Sequence, residues 1–345
     1  MKLRSFLTPI LIRTMASKRV IVDCDPGIDD ALAIQYLLPR NLKSSVEIVA
    51  LTIVDGNVKT HQGAANALRI LKSNNLESIP PIYLGADFPE ESDGWYGEDG
   101  LGNQQGLEPR ISGNDVEKGD FLEIDMGKSA GQAIVDLTLE HDDITILSLG
   151  PLTNIAQALK LDPSLPERVN EWTVMGGNLY GAGNAPGQAA EYNFWFDYYS
   201  AEKVISSFLP HLTPTIVTLE LARQFPFPIS FWHDMDESFI KSVSKYDAER
   251  YFGEFHPRCQ FDNGPGWRIY DLLAALCHTN PEIITEAWEH SVGVETEGKH
   301  TKGLLVIDRY SIGDGIFDYE GKAKLPTTVD IAKILRLPGI QAFEK

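Results

Sequence analysis

Cysteine is scarce in this chain. Only Cys24, Cys259 and Cys277 occur among 345 residues, with no CxxC pair and no clustered histidine beside them. That excludes a disulfide framework and a structural zinc site, and it points to a reducing compartment. Long apolar runs are missing as well, since none approaches the roughly 20 residues of a membrane-spanning helix. Positive charge is in deficit: 30 Lys and Arg stand against 49 Asp and Glu, for a formal charge of −19 and a pI near 4.8. Such a surface disfavours nucleic acid and anionic membranes as partners while leaving small substrates open. No Pro/Ser linker, charge block or internal repeat divides the chain, so one domain is expected over residues 19–345.

Acid is absent before Asp23, and the opening MKLRSFLTPILIRT carries Lys2, Arg4 and Arg13. A basic, acid-free start fits a disordered extension or an organelle presequence, and Pro9 interrupts the apolar run of a secretory signal. Met15 opens MASKRVIVD and would serve as an alternative initiator. Residues 1–18 are therefore set apart as an extension. The rest is expected in the cytoplasm unless that extension addresses an organelle.

What the chain does have is a series of β-rich apolar runs. They lie at 19–23, 46–54, 143–150, 169–177 and 213–221, with helical patterns at about 29–39, 57–73, 127–141, 152–160, 199–208 and 267–279. Strands alternating with helices predict an α/β, Rossmann-like fold with a mainly parallel central sheet and helices on both faces. Ligands then bind beyond the carboxyl ends of the strands. The acid- and glycine-rich stretch at about 87–120 reads as a flap, and about 222–265 as a second flap or insertion over the same sheet edge.

The first run ends in VIVDCDPGIDDALAI, which places Asp23, Asp25, Asp29 and Asp30 within eight residues. Pro26 keeps Asp25 out of a helix and Gly27 permits a sharp turn into one beginning near Ile28. A single acid at a helix start is explained as a cap. Three or four cannot be, because packed like charges raise one another's pKa and cost stability unless a cation balances them. Oxygen ligands without His or Cys favour Ca²⁺ or Mg²⁺ over softer metals. Cys24 reads as a small buried residue.

DCDPGIDDALAI resembles the N-terminal signature of the inosine-uridine preferring nucleoside hydrolases. LTIVDGN (51–57), LSLGPLTNIAQAL (147–159), VMGGN (174–178), AEYNFWFD (190–197) and YDLLAAL (270–276) are similar to further family segments, in the family's order. The resemblance covers about residues 19–290. It implies a Ca²⁺ ion at the base of a ribose pocket and an aspartate that activates a water on that ion to attack the anomeric carbon. By the same resemblance Asp25 is general base and metal ligand, and Asp30, Asp271 and the Leu149 carbonyl are ligands. Asp29 contacts the ribose hydroxyls, and Asn57, Met175, Asn184, Glu191 and Asn193 line the sugar. The chemistry is coherent: an oxocarbenium-like sugar is stabilised by carboxylates and hydroxyl hydrogen bonds, and the ion acidifies the attacking water. Nucleosides are then the partner, and family members are homodimers or homotetramers.

Two positions depart from the family pattern. Where many members carry histidines, this chain has Tyr96 in the flap and Tyr270 before Asp271. Neither is protonated near neutral pH as histidine is. Trp95 or Tyr96 with Tyr270 would instead stack on the base and ease its departure, which favours purine nucleosides; Trp195 and Trp267 offer further rings. A tyrosine hydroxyl bonding a pyrimidine carbonyl keeps a uridine-specific enzyme open. The rival class is a Mg²⁺-dependent phosphatase of the haloacid dehalogenase type, with Asp23 and Asp25 as its nucleophile pair and IGDGIFD (312–318) as its late motif. That leaves Asp29, Asp30, AEYN and YD unexplained. A metal-binding protein without catalysis is the third reading. His233, His256 and His278 are expected as surface or core residues.

Overall fold

The computed structural model describes residues 18–38, 46–74, 76–86, 99–101, 124–187, 189–228, 230–231, 235, 240–243, 267–310 and 317–341. Its centre is a nine-stranded sheet. The strands in chain order are β1 (Lys18–Cys24), β2 (Val46–Ile53), β3 (Ile82–Leu84), β4 (Ile124–Ser129), β5 (Ile144–Ser148), β6 (Glu171–Met175), β7 (Thr215–Val217), β8 (Ile284–His290) and β11 (Ala323–Val329). β9 (Val292–Val294) and β10 (Leu305–Ile307) make a separate antiparallel hairpin.

Across the sheet the order is β4-β3-β2-β1-β5-β6-β7-β11-β8, and every pairing is parallel except β8 with β11. The chain builds outward from β1 to β4 and then returns to lay β5 on the other side of β1. That reversal opens a crevice past the carboxyl ends of β1 and β5, the usual ligand position in such sheets.

Helices cover both faces. On one side lie α1 (Ile28–Leu37), α2 (Thr60–Lys72), α7 (Leu219–Gln224) and α8 (Tyr270–Thr279), whose buried side chains join Val20, Val22 and Leu51 in one apolar core. On the other lie α3 (Ala130–Glu140), α4 (Thr153–Leu161) and α6 (Tyr198–Phe208), packed with Ile21, Ile146 and Val174. Val20 and Val22 therefore serve one core and Ile21 the other, as the alternation of a two-sided strand requires. Short α5 (Tyr192–Phe196), α9 (Ile331–Ile334) and α10 (Pro338–Gln341) complete the described α-helices.

The helices expected at 57–73, 127–141 and 267–279 begin later, at Thr60, Ala130 and Tyr270. Residues 127–129 instead finish β4, where Ser129 ends the strand and caps α3 by accepting from the Gln132 N–H at 3.2 Å. The run at 213–221 divides, with three residues in β7 and α7 starting at Leu219. Residues 1–17, nearly all of the 87–120 flap and most of 222–265 lie outside the described residues. No helix among the described residues is long and apolar enough to cross a membrane.

Candidate active site

Each strand that borders the crevice brings one of the expected site residues to its carboxyl end. β1 delivers Asp25, β2 leads to Asn57, β5 is followed by Leu149, and β6 ends on Met175. Asp29 and Asp30 open α1, and Asp271 opens α8. The fold thus gathers what the sequence separates by more than 200 positions.

Asp25, Asp29, Asp30 and Asp271 are all buried. Carboxylate oxygens of Asp29, Asp30 and Asp271 lie within 4.8 Å of one another. Asp30 reaches back to the α1 start, where its Oδ2 accepts from the Gly27 N–H at 2.9 Å and its Oδ1 from the Asp25 N–H at 3.3 Å. This is the ordinary work of an acid in a first turn. Asn57 ties two acids together: its N–H donates to Asp25 Oδ2 at 2.6 Å and its side-chain amide to Asp30 Oδ2 at 3.3 Å. Asp25 Oδ1 finds no hydrogen-bond partner among the described residues.

Burial and the neighbouring carboxylates push Asp25 and Asp271 well above the usual range, and burial raises Asp30. Asp30 and Asp271 come within hydrogen-bonding reach of each other. Space at Asp25 is also reserved. A Cβ on Gly150 would fall 2.6 Å from Asp25 Oδ1, and one on Gly56 would overlap Oδ2. An all-oxygen group of acids, mutually repelling and with one buried oxygen unbonded, fits a hard divalent cation.

The Leu149 carbonyl is fixed by the Asn193 side-chain amide at 2.7 Å, which also reaches the Met175 carbonyl at 3.2 Å. Asn193, expected on the sugar, thus spends its donors on the tips of β5 and β6. Glu191 caps α5: its oxygens accept from the N–H groups of Asn193 at 2.8 Å, Phe194 at 3.1 Å and Gly177 at 3.0 Å. Burial still pushes its carboxyl up to about 7. Asn184 Oδ1 accepts from the Tyr192 N–H at 2.8 Å, and the Tyr192 hydroxyl donates to the Gly56 carbonyl at 3.2 Å.

Asp23 sits beneath the site, fully buried, with Oδ1 accepting from Thr52 Oγ1 at 2.7 Å and Asn154 Nδ2 at 2.9 Å. Burial pushes its carboxyl up to about 7. It cross-links β1, β2 and α4. Thr52 and Asn154 carry no signal in the sequence, because one polar residue in an apolar run does not reveal its partner.

Tyr270 is half-buried at the first turn of α8, packed against the core beside Asp271. Trp95 and Tyr96 lie outside the described residues, as do His233 and His256. Trp267 is corrected: it is fully buried, its backbone bridged to Phe227, so it offers no ring to a ligand. Trp195 is half-buried against Tyr192. His278 is a core residue between Thr145 and Thr173.

A mainly parallel sheet with buried carboxylates at its switch point is where α/β proteins bind small ligands. The sequence pattern of the inosine-uridine preferring nucleoside hydrolases matches residues 20–336. The chain belongs to that family and hydrolyses N-glycosidic bonds of nucleosides. It is 35% identical over 333 residues to the probable uridine nucleosidase 2 of Oryza sativa subsp. japonica, spanning 92% of this chain and 91% of the rice protein. It is 30% identical over 304 residues to the pyrimidine-specific ribonucleoside hydrolase RihA of Klebsiella pneumoniae, spanning 85% and 89%. Among solved structures it is similar to the plant nucleoside hydrolase PpNRh1, with a TM-score of 0.77 at 25% identity over 94% of this chain and 99% of that one. These matches remove the phosphatase reading of Asp23 and Asp25.

Proposed function

We propose that the chain releases free base and ribose from ribonucleosides, pyrimidine ribonucleosides such as uridine among them, with Asp25 as general base and Ca²⁺ as the ion. The observation that carries this is Asp25 itself: one oxygen is held by the Asn57 N–H and the other is buried, unbonded and walled by Gly150. A buried carboxylate oxygen with no hydrogen-bond partner among the described residues is suited to take a proton.

Asp25, Asp30, Asp271 and the Leu149 carbonyl would hold the ion, which when bound acidifies water and fixes sugar hydroxyls. Asp25 Oδ1 takes the proton of the water as its oxygen bonds to C1′. The C1′–N bond breaks with its electron pair going to the base, which takes a proton from solvent as it leaves, and Asp25 returns its proton to solvent. Asp29 accepts from a ribose hydroxyl, and the surrounding carboxylates stabilise the positive sugar. Asn193 and Glu191 act behind the sugar, fixing the β5 and β6 tips.

The names of the rice and Klebsiella relatives support a pyrimidine base. The purine-stacking expectation rested on Trp95 or Tyr96 with Tyr270, and on Trp195 and Trp267 as further rings; Trp267 is in the core, and Trp95 and Tyr96 lie outside the described residues. Tyr270 remains, and its hydroxyl is suited to bond a pyrimidine carbonyl. The match over 20–336 supports one catalytic domain.

The test is a nucleoside panel on protein starting at Met15, read as free ribose, with and without chelator. Uridine is expected to be cleaved, chelator to stop it and Ca²⁺ to restore it. Release of phosphate from nucleotides, or no base release from any nucleoside, would defeat the proposal.

A further inference from the structure

The loop between β6 and α5 carries Asn184 and is gripped from outside by two charged residues on one turn of α7. Glu220 is buried, and its Oε2 accepts from the Leu179 N–H at 2.8 Å while its Oε1 accepts from the Tyr180 N–H at 3.2 Å. Arg223, three residues on and half-buried, donates to the Ala182 carbonyl and to the Gly183 carbonyl at 3.4 Å. A carboxylate thus takes successive N–H groups, and a guanidinium takes the C=O groups that follow.

The same loop is pinched at its base. The Asn184 and Ala185 N–H groups donate to the Ala190 carbonyl at 3.1 and 3.2 Å, and the Asn178 amide donates to the Ala189 carbonyl at 2.9 Å. A Cβ on Gly183 would overlap the Ala190 backbone, so the two limbs touch there. From Asn184 a chain of contacts runs into the site: Asn184 to the Tyr192 N–H, Tyr192 hydroxyl to Gly56, and the next residue, Asn57, to Asp25.

We propose that Glu220 and Arg223 are positioning residues for nucleoside binding, holding the 179–184 loop so that Asn184 is presented to the sugar. This rests on the proposed function and on the family resemblance, which implies that Asn184 lines the ribose. Neither residue touches the reacting atoms. Their loss should loosen substrate and ribose alike, while Asp25 keeps its own anchor on the Asn57 backbone N–H. In Glu220→Gln one of the two acceptors becomes an NH₂ facing an N–H, so half the grip turns repulsive. Glu220→Asp keeps both acceptors on a shorter arm.

Steady-state kinetics with uridine, together with product inhibition by ribose, test this on the full chain. For Glu220→Gln and Arg223→Gln, KM and the ribose inhibition constant are expected to rise together by about tenfold, with kcat within about twofold. Glu220→Asp should recover most of the loss. Should Glu220→Gln fail to fold, Arg223→Gln carries the same readout from a half-buried position. Unchanged KM and ribose inhibition in a folded Arg223→Gln overturn the inference, and so does a fall in kcat at constant KM, which would mean that the clamp supports the carboxylates instead. Wild-type protein that cleaves no nucleoside overturns the proposed function and this inference with it. Wild-type cleavage with indifferent variants overturns this inference alone.

Discussion

The Asn57 N–H donates to Asp25 Oδ2 at 2.6 Å, and the opposite oxygen of the same carboxylate is buried with no hydrogen-bond partner among the described residues. The group is anchored on one side and reserved on the other. Asp25→Asn keeps the size and an acceptor but cannot take a proton, so kcat should fall by about 10³-fold. It also removes one of several crowded buried charges. In chelator the variant should therefore melt above wild type, by roughly 2 °C if the relief is about 1 kcal/mol. Loss of activity with a lower melting temperature in chelator would contradict this account.

Calcium should stabilise the chain through the same residues. A ligand at a hundred times its Kd adds about 2.7 kcal/mol to the folded state. The wild-type melting temperature should rise with Ca²⁺ concentration, and Asp271→Asn, which removes an acid packed within 4.8 Å of Asp29 and Asp30, should flatten that rise. Equal responses in the two proteins would place the ion elsewhere.

Gly150 is a glycine for reasons of space. Its φ is not in the left-handed region, but a Cβ there would sit 2.6 Å from Asp25 Oδ1 and 2.7 Å from Val54. Gly150→Ala should push the carboxylate off its position and lower kcat/KM by about 10²-fold, the penalty of an ångström-scale misplacement. Circular dichroism should be unchanged. Near-wild-type kinetics would show that Asp25 tolerates the shift.

Much of this site was legible because four aspartates stand together at the end of one strand. β1, β2, β5 and β6 were visible as β-branched runs, as the buried strands of a parallel sheet should be. β3 has only three residues and β4, IDMGKS, no apolar run, so neither announced itself. β8, ITEAWEH, alternates with acids because it is the sheet's edge, a weaker pattern than a buried strand gives. Asp271 joined the site only through the family resemblance. Thr52, Asn154, Glu220 and Arg223 were silent, since each acts on a partner that only the fold brings near.

The described histidine in the core provides a pH test away from the carboxylates. His278 is fully buried, its ring nitrogens 3.0 Å from Thr145 Oγ1 and 2.9 Å from Thr173 Oγ1, and burial lowers its pKa to about 4. The unfolded chain binds that proton near pH 6.5 and the folded chain only near 4. Between those values the unfolded state holds more protons, so stability falls as pH drops from 6.5 to 4 and is complete above that window. A depression of this size corresponds to about 3 kcal/mol over the window. His278→Gln keeps polar contacts without titrating, so its stability should be lower than wild type near neutrality yet fall less steeply across that interval. Urea unfolding at several pH values measures both slopes. Identical slopes would mean that His278 does not titrate differently in the two states.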